Sequence, residues 1–338
     1  MHANTASPGA LESPTVPLQP RLMPSLRAAL RLRRYSLKTE KAYTHWVRRY
    51  LRFHHMRHPR EMGAKEVTAF LNHLASERQV AAATQNQALA ALLFLYRELL
   101  GMELPWLDDL VRAKSAKRLP TMLTRDEVQA ILSHLSGTRW LLVSLLYGAG
   151  LRLNECLCLR VKDIDFTGSK LVIRQAKGNK DRVTLLPQRL KPVLAAHLEK
   201  VKALHAEDLT RGLGEAPLPQ ALARKYPGAG YSWAWQFVFP SSQCCCDPYT
   251  RRTVRFHLHE KTLQRAVKEA TRRAAIAKPV GCHTFRHAFA THLLEAGHNI
   301  RVVQELMGHK DVETTMLYSH VMNNSLAAVR SPADALPG

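Results

Sequence analysis

The chain has 338 residues, with 49 Lys and Arg against 27 Asp and Glu, for a formal net charge of +22 and an isoelectric point near 10.1. It is long enough for two domains; the charge implies a polyanionic partner, and a hydrophobic content of 46% excludes a merely basic, coreless tail. The first twenty residues lack the apolar stretch of a secretory signal, and runs such as WLLVSLLYGAGL are too short to span a bilayer, so a cytoplasmic protein without a membrane partner is expected.

In chain order, residues 1–21 read as a disordered or docked tail. The segments SLKTEKAYTHWVRRYLRFH, GAKEVTAFLNHLASE and AATQNQALAALLFLYRELL then carry apolar residues at helical spacing, separated by short breakers. They predict a small helical domain over residues 22–110. In VRAKSAKRLPTM the periodicity stops and charge concentrates, which predicts a linker at 111–121, either an exposed hinge or a segment crossing a phosphate backbone.

A second domain is predicted over 122–322. It opens with Thr124 and Glu127 in capping-box spacing. KLVIR and RVTLLP supply a small antiparallel sheet around a KGNKD turn, while Gly297 and Gly308 read as helix stops. In YSWAWQFVFP the alternating aromatics predict a buried strand, with a platform for unstacked bases as the other reading. Residues 323–338 form a second tail. The fold class is mainly α with a small antiparallel β-sheet (α+β).

The six cysteines, among them Cys156, Cys158 and the run Cys244, Cys245, Cys246, fit neither a disulfide framework nor zinc spacing and read as reduced thiols. His283, His287 and His292 share one helical run, but no HExxH or ligating carboxylate pattern accompanies them. No metal and no other cofactor is expected.

Six residues of the C-terminal half stand out: Arg152 in GAGLRLNECLCL, Lys177 in QAKGNKDR, His283 and Arg286 in HTFRHAFATHLL, His309 in LMGHKD, and Tyr318 in TTMLYSH. A phenol among two guanidiniums, an ammonium and two imidazoles suits metal-free attack on a phosphodiester, because the cations stabilise the charge of a pentavalent transition state. His283 and Arg286, three apart on a helix, project from one face. Taken singly, each residue is more readily explained by packing or phosphate contact.

The order Arg, Lys, His-x-x-Arg, His, Tyr, carried by GAGLRLNE, HTFRH, LMGH and the tyrosine nine residues on, resembles the tyrosine recombinases over nearly the whole chain. The segment LPQALARKYPGAGYSWAWQFVFPS is similar to the insertion of the integron integrase subgroup, here about residues 205–250; the flanking RRYSLKTEKAYTHWVRRYLRFH, ELPWLDDL and RSPADALPG look like the same subgroup. The resemblance implies a helical, SAM-like core-binding domain followed by a catalytic domain. It implies that Tyr318 is the nucleophile, His283 its base, Arg152 and Arg286 the phosphate clamps, Lys177 the acid for the departing 5′-hydroxyl and His309 a hydrogen-bond donor to the phosphate. It also implies that Trp235, Pro248 and His257 receive extrahelical bases of a folded single strand. The expected partners are duplex DNA, folded single-stranded recombination sites and three further copies in a tetramer. A recombinase restricted to duplex sites, and a non-catalytic DNA-binding protein of the same fold, remain open.

Overall fold

The computed structural model of the protein describes residues 22–103, 121–176 and 180–308. Lys177, His309 and Tyr318, both tails and all but the last residue of the expected linker lie outside them. The chain divides into two compact units, Met1–Arg118 and Leu119–Gly338.

The first unit holds four α-helices among its described residues: α1 (Leu22–Leu32), α2 (Leu37–Phe53), α3 (Ala64–Ser76) and α4 (Ala82–Leu93). A π-helical turn, Phe94–Leu99, continues α4. Helix α2 starts where the Ser36 hydroxyl accepts the Thr39 N–H at 3.1 Å, satisfying a donor that has no partner within the helix. Its apolar stripe, Trp46, Val47, Tyr50 and Leu51, is buried in one core with Leu26 and Leu30 of α1, Phe70 and Leu74 of α3, Leu92 of α4 and Tyr96 of the π-helical turn. The tyrosines enter that core because their hydroxyls satisfy each other, Tyr50 Oη to Tyr96 Oη at 2.8 Å, avoiding the cost of a lone buried hydroxyl.

The second unit begins with α5 (Arg125–Ser133). Its predicted capping box is formed: Glu127 N–H donates to Thr124 Oγ1 at 3.1 Å and Thr124 N–H to Glu127 Oε2 at 2.8 Å. Helix α6 (Gly137–Gly148) starts exposed and then buries Leu141 through Leu146 consecutively, a stretch enclosed on every face. The short α7 (Leu153–Leu157) follows. Strands β1 (Ile164–Asp165), β2 (Lys170–Ala176) and β3 (Lys180–Leu185) make an antiparallel sheet in the order β1-β2-β3. The β2–β3 register pairs Ile173 with Arg182 and shifts before Ala176 pairs with Lys180, so the ladder is bulged between Ile173 and Ala176.

Helix α8 (Lys191–Thr210) and the short α9 (Gln220–Lys225) come next, followed by the hairpin β4 (Cys245–Cys246) and β5 (Thr253–Val254). Three helices close the described chain: α10 (Glu260–Arg273), α11 (Cys282–Glu295) and α12 (Ile300–Met307). Gly297 and Gly308, after α11 and α12, have positive φ, as helix-terminating glycines do. Helices α5, α6, α7, α8, α10 and α11 share one core with the inner residues of β2.

The aromatic run 231–239 is not the predicted strand. It forms two 3-10 turns, Ala229–Tyr231 and Trp233–Trp235, and only then extends, with Phe237 bridging Arg160. The Gln236 side chain overrides the alternation, its Nε2 donating to the carbonyls of Gly214 (3.1 Å), Gly230 (2.8 Å) and Ser232 (3.3 Å). Those carbonyls therefore find a buried partner without a strand ladder, and Gln236, Phe237, Val238 and Phe239 are buried consecutively.

Candidate active site and nucleic-acid interface

The site is built around one carboxylate. Glu155 is the third residue of α7, and its Oε2 accepts the Arg152 backbone N–H at 2.8 Å, so the carboxylate caps the helix that Arg152 precedes. Arg152 Nη1 lies 2.7 Å from Glu155 Oε1, and its Nη2 donates to the Gly308 carbonyl at 3.4 Å. From β3, Arg182 grips both carboxylate oxygens, Nη1 to Oε1 at 2.9 Å and Nη2 to Oε2 at 2.8 Å. From α11, Arg286 Nη1 stands 3.7 Å from Oε2. Three guanidiniums thus surround one carboxylate, leaving a net positive cluster.

Those bonds hold the Glu155 carboxyl at about 2 against the opposing effect of its burial, Arg182 acting most strongly and Arg152 next. The carboxylate is therefore charged throughout the neutral range. Arg286 is only 1% exposed; it donates through Nη1 to the Gly150 carbonyl and through Nη2 to the Met307 carbonyl. A buried guanidinium with this much of its fork satisfied is fixed in direction, as a preorganised anion clamp must be. Gly150 has φ +62°, and the Phe289 ring fills the space that a Cβ would need, so a side chain there would displace the wall behind Arg286.

His283 lies one turn before Arg286's helical neighbour His287, with ring centroids 4.5 Å apart and nearly perpendicular. The His283 residue as a whole reaches solvent, yet its ring is enclosed enough that desolvation, and then the charges of Arg286 and Arg152, hold its pKa below the ordinary imidazole value. His287 is pushed down to about 4 by burial and by His283 and Arg286. Both rings are neutral at pH 7 and able to accept a proton. His292, by contrast, is a core residue, bonded to Tyr147 Oη at 2.9 Å and to the Leu123 carbonyl at 3.0 Å. No group of three or more His, Cys, Asp or Glu suited to a metal occurs among the described residues.

Arg152, His283 and Arg286 are thus brought to one place. Glu155 and Arg182 joined them without being singled out in the sequence. Glu155 stands in the quoted GAGLRLNE, three residues after Arg152, a spacing that could have flagged it. Arg182 and Thr184 face inward on β3, side-chain exposure of Arg182 being 8%, while apolar Val183 is 51% exposed; an inverted alternation of this kind is legible only once the sheet's inner face is known.

A second cluster forms where the insertion packs on the segment that follows α7. Arg160 donates to the carbonyls of Trp235 and Pro217, and its guanidinium lies 4.3 Å from the Phe237 ring centroid and 5.5 Å from that of Trp235. Lys162 Nζ is 4.2 Å from the Trp235 centroid, a cation–π distance. The His257 ring packs on Phe237 (5.4 Å) and Phe256 (4.3 Å), and Phe256 is an exposed aromatic. Trp235 and His257 are therefore connected through Arg160 and Phe237. Pro248 is exposed in the β4–β5 turn, where Asp247 Oδ1 accepts from Tyr249 N at 2.7 Å, and none of the described contacts joins it to the other two.

The Phage integrase family matches residues 121–325, and the phage integrase N-terminal SAM-like domain matches residues 22–106. The chain belongs to the phage integrase family. It is a tyrosine site-specific recombinase, a DNA strand-exchange enzyme. An integrase/recombinase of Escherichia coli is 47% identical over 331 residues, covering 97% of this chain and 98% of that protein. The tyrosine recombinase XerA of Thermococcus kodakarensis is 32% identical over 306 residues, covering 87% and 89%. The recombinase's fold is similar to that of a lambda integrase dimer bound to a COC′ core site, with TM-score 0.59 and 18% identity over 92% of this chain and 97% of that one. It is also similar to XerH bound to its difH substrate, with TM-score 0.57 and 19% identity over 92% and 85%. The mainly helical two-domain architecture expected from the sequence is that of this family. No helix among the described residues is long and apolar enough to cross a membrane.

Proposed function

We propose that this recombinase is an integron integrase that integrates and excises gene cassettes, acting on duplex sites and on folded single-stranded sites. The observation that carries the reading is the insertion between β3 and α10, where Trp235 and His257 flank an aromatic and cationic surface built on Arg160. Aromatic faces beside cations are what unstacked bases bind. Pro248 is the third residue assigned to this surface, from the β4–β5 turn.

In the proposed reaction the Tyr318 oxygen attacks the scissile phosphorus and its proton passes to His283, whose neutral ring is ready to take it. Arg152 and Arg286 bind the non-bridging oxygens; their forks match that geometry better than an ammonium would. The P–O5′ bond breaks as Lys177 protonates the departing 5′-oxygen, while His309 hydrogen-bonds the phosphate. The resulting 3′-phosphotyrosine is resolved when another strand's 5′-hydroxyl attacks it and Tyr318 leaves with a proton. Because one ester is exchanged for another, no external energy source is consumed. Paired strand exchange calls for four copies on two sites, and the lambda integrase tetramer bound to a Holliday junction supports that assembly by analogy.

The test is incubation with a nicked suicide substrate, supplied as duplex and as folded bottom strand, with adducts resolved on denaturing gels in the presence and absence of EDTA. Chelator-insensitive adducts on both substrates are expected. Adducts on duplex alone would assign the protein to the duplex-restricted recombinases, and no adduct on either would make it a DNA-binding relative.

A further inference from the structure

Asp163 closes the 3-10 turn Val161–Asp163 that leads into β1, and it is only 4% exposed. A carboxylate so enclosed needs partners to offset its lost hydration. Two cations share its Oδ1: Arg174 Nε of β2 at 2.7 Å and Lys162 Nζ at 3.1 Å. Arg174 also reaches across the hairpin, its Nη1 lying 3.5 Å from Asp181 Oδ2 on β3. Arg174 stands three residues before Lys177 and Asp181 four after it. One guanidinium therefore joins the two strands that flank Lys177 and ties both to a buried carboxylate.

Arg174 lies where the β2–β3 ladder is out of register, between Ile173 and Ala176. Across a bulge the regular ladder no longer sets the direction of the strand, whereas a charge-assisted bond to a buried acceptor can. Asp163 is itself held in place. Its N–H donates to the Arg160 carbonyl at 3.0 Å and the Val161 N–H to the Gln236 carbonyl at 3.1 Å, while Lys162 Nζ lies 4.2 Å from the Trp235 ring centroid. The anchor of the hairpin is thus the segment on which the insertion packs.

We propose that Asp163 is a positioning residue of leaving-group protonation: through Arg174 it orients the strands on either side of Lys177, so that the ammonium meets the departing 5′-oxygen. Asp163 transfers no proton itself. As the P–O5′ bond breaks, its electron pair passes to O5′ and the proton comes from Lys177. The assignment rests on the reading of Lys177 as that acid.

Sulfur in place of the bridging 5′-oxygen separates this role from a general structural one, because a thiolate departs without needing a proton. Asp163→Asn keeps the size of the side chain and an acceptor oxygen but removes the charge. Lys162 and Arg174 both reach solvent, so neither is left as a buried unpaired cation. Single-turnover cleavage of the nicked duplex with bridging oxygen or sulfur, DNA affinity and melting temperature are measured for the parent, Asp163→Asn, Arg174→Gln and Lys177→Ala. Asp163→Asn is expected to slow the oxygen substrate by about tenfold or more, the scale of a misplaced catalytic group. The sulfur substrate should be cleaved within about threefold of the parental rate, with DNA affinity within about twofold. Equal slowing on both substrates would make Asp163 a structural brace. Parental cleavage of the oxygen substrate, or affinity falling in parallel with rate, would equally overturn the assignment.

Should Asp163→Asn not melt cooperatively, the exposed Arg174→Gln decides by the same criterion: slow cleavage that sulfur restores sustains the assignment, and any other result overturns it. Lys177→Ala reports on the underlying reading, with an expected loss of about a hundredfold or more on oxygen that sulfur recovers. A loss that sulfur does not recover would remove Lys177 as the acid, whatever the Asp163 variant shows.

Discussion

Arginine organises both clusters of the catalytic unit, but to different ends. Around Glu155, Arg286 is fixed by the carbonyls of Gly150 and Met307, and charge is what the cluster retains, three guanidiniums against one carboxylate. Against the insertion, Arg160 is likewise fixed by two carbonyls, of Trp235 and Pro217, yet its face is spent on Phe237 and Trp235, and burial holds its pKa below the ordinary guanidinium value. Carbonyl anchoring fixes a guanidinium in space without neutralising it. What lies against the remaining surface, a shared carboxylate or an aromatic ring, decides whether the result is a clamp for an anion or a wall for a flat apolar group.

The largest expected effect separates chemistry from binding. Tyr318→Phe keeps the ring and removes the nucleophile, so covalent adduct should vanish while DNA affinity is unchanged. Denaturing gels and a binding isotherm measure the two. An adduct surviving in this variant would move the nucleophile elsewhere; Tyr147 is a poor substitute, because its hydroxyl is engaged with His292 and burial raises its pKa.

Next in size are the clamps. Arg152→Lys and Arg286→Lys should each lose at least about a hundredfold in cleavage rate despite keeping their charge. They should differ in stability: Arg286 is buried and serves two carbonyls, so its lysine variant should also melt lower, whereas half-buried Arg152 should be replaced at little cost in melting temperature. Near-parental cleavage by either variant would reduce that residue to a charge in a groove.

The insertion should respond differently. Trp235→Ala is expected to lose about 1–3 kcal/mol in binding a folded hairpin with bulged bases, and little on paired duplex. His257→Ala should follow the same pattern, and Cys245→Ser, exposed on β4, should leave both substrates unaffected. Equal losses on hairpins with and without bulges would remove the base-pocket role. A lowered melting temperature with weaker binding to every DNA would make Trp235 a packing residue.

The sequence carried these two regions unequally. Arg152, His283 and Arg286 sit in short local motifs whose backbone is set by neighbouring residues, so helix spacing alone placed two of them on one face. The β2–β3 pair, the Thr124 capping box and the glycine stops were legible for the same reason. The insertion was not, because Gln236 gathers carbonyls from Gly214 and Gly230, contacts that no periodicity encodes. Arg182 is not legible as a site residue because its partners, Glu155 and Leu306, are distant in sequence. Helix α1, which holds Pro24 in its first turn, falls within the predicted domain, where a proline obscures its helical signal.

The smallest expected effect sharpens the electrostatic side of the comparison through pH. His287 titrates at about 4 in the folded protein because of burial and then the charges of His283 and Arg286, against about 6.5 for an unperturbed imidazole. Between those values the unfolded chain binds a proton that the folded one does not, so stability is full above about pH 6.5 and declines as pH falls toward 4. Glu155, at about 2, stays charged in the folded protein across that window and adds to the slope only below about pH 5, where the unfolded carboxyl begins to take up its proton. The melting temperature should therefore drop from pH 7.5 to pH 5, and less steeply in His287→Asn, where the slope rather than the absolute value is compared because the replacement also alters packing. His283 is lowered for related reasons, so parental cleavage should fall off on the acid side at a lower pH than an ordinary imidazole base would impose. An unchanged melting slope in His287→Asn would mean that neither burial nor the charges of His283 and Arg286 hold this ring's pKa down in the folded protein.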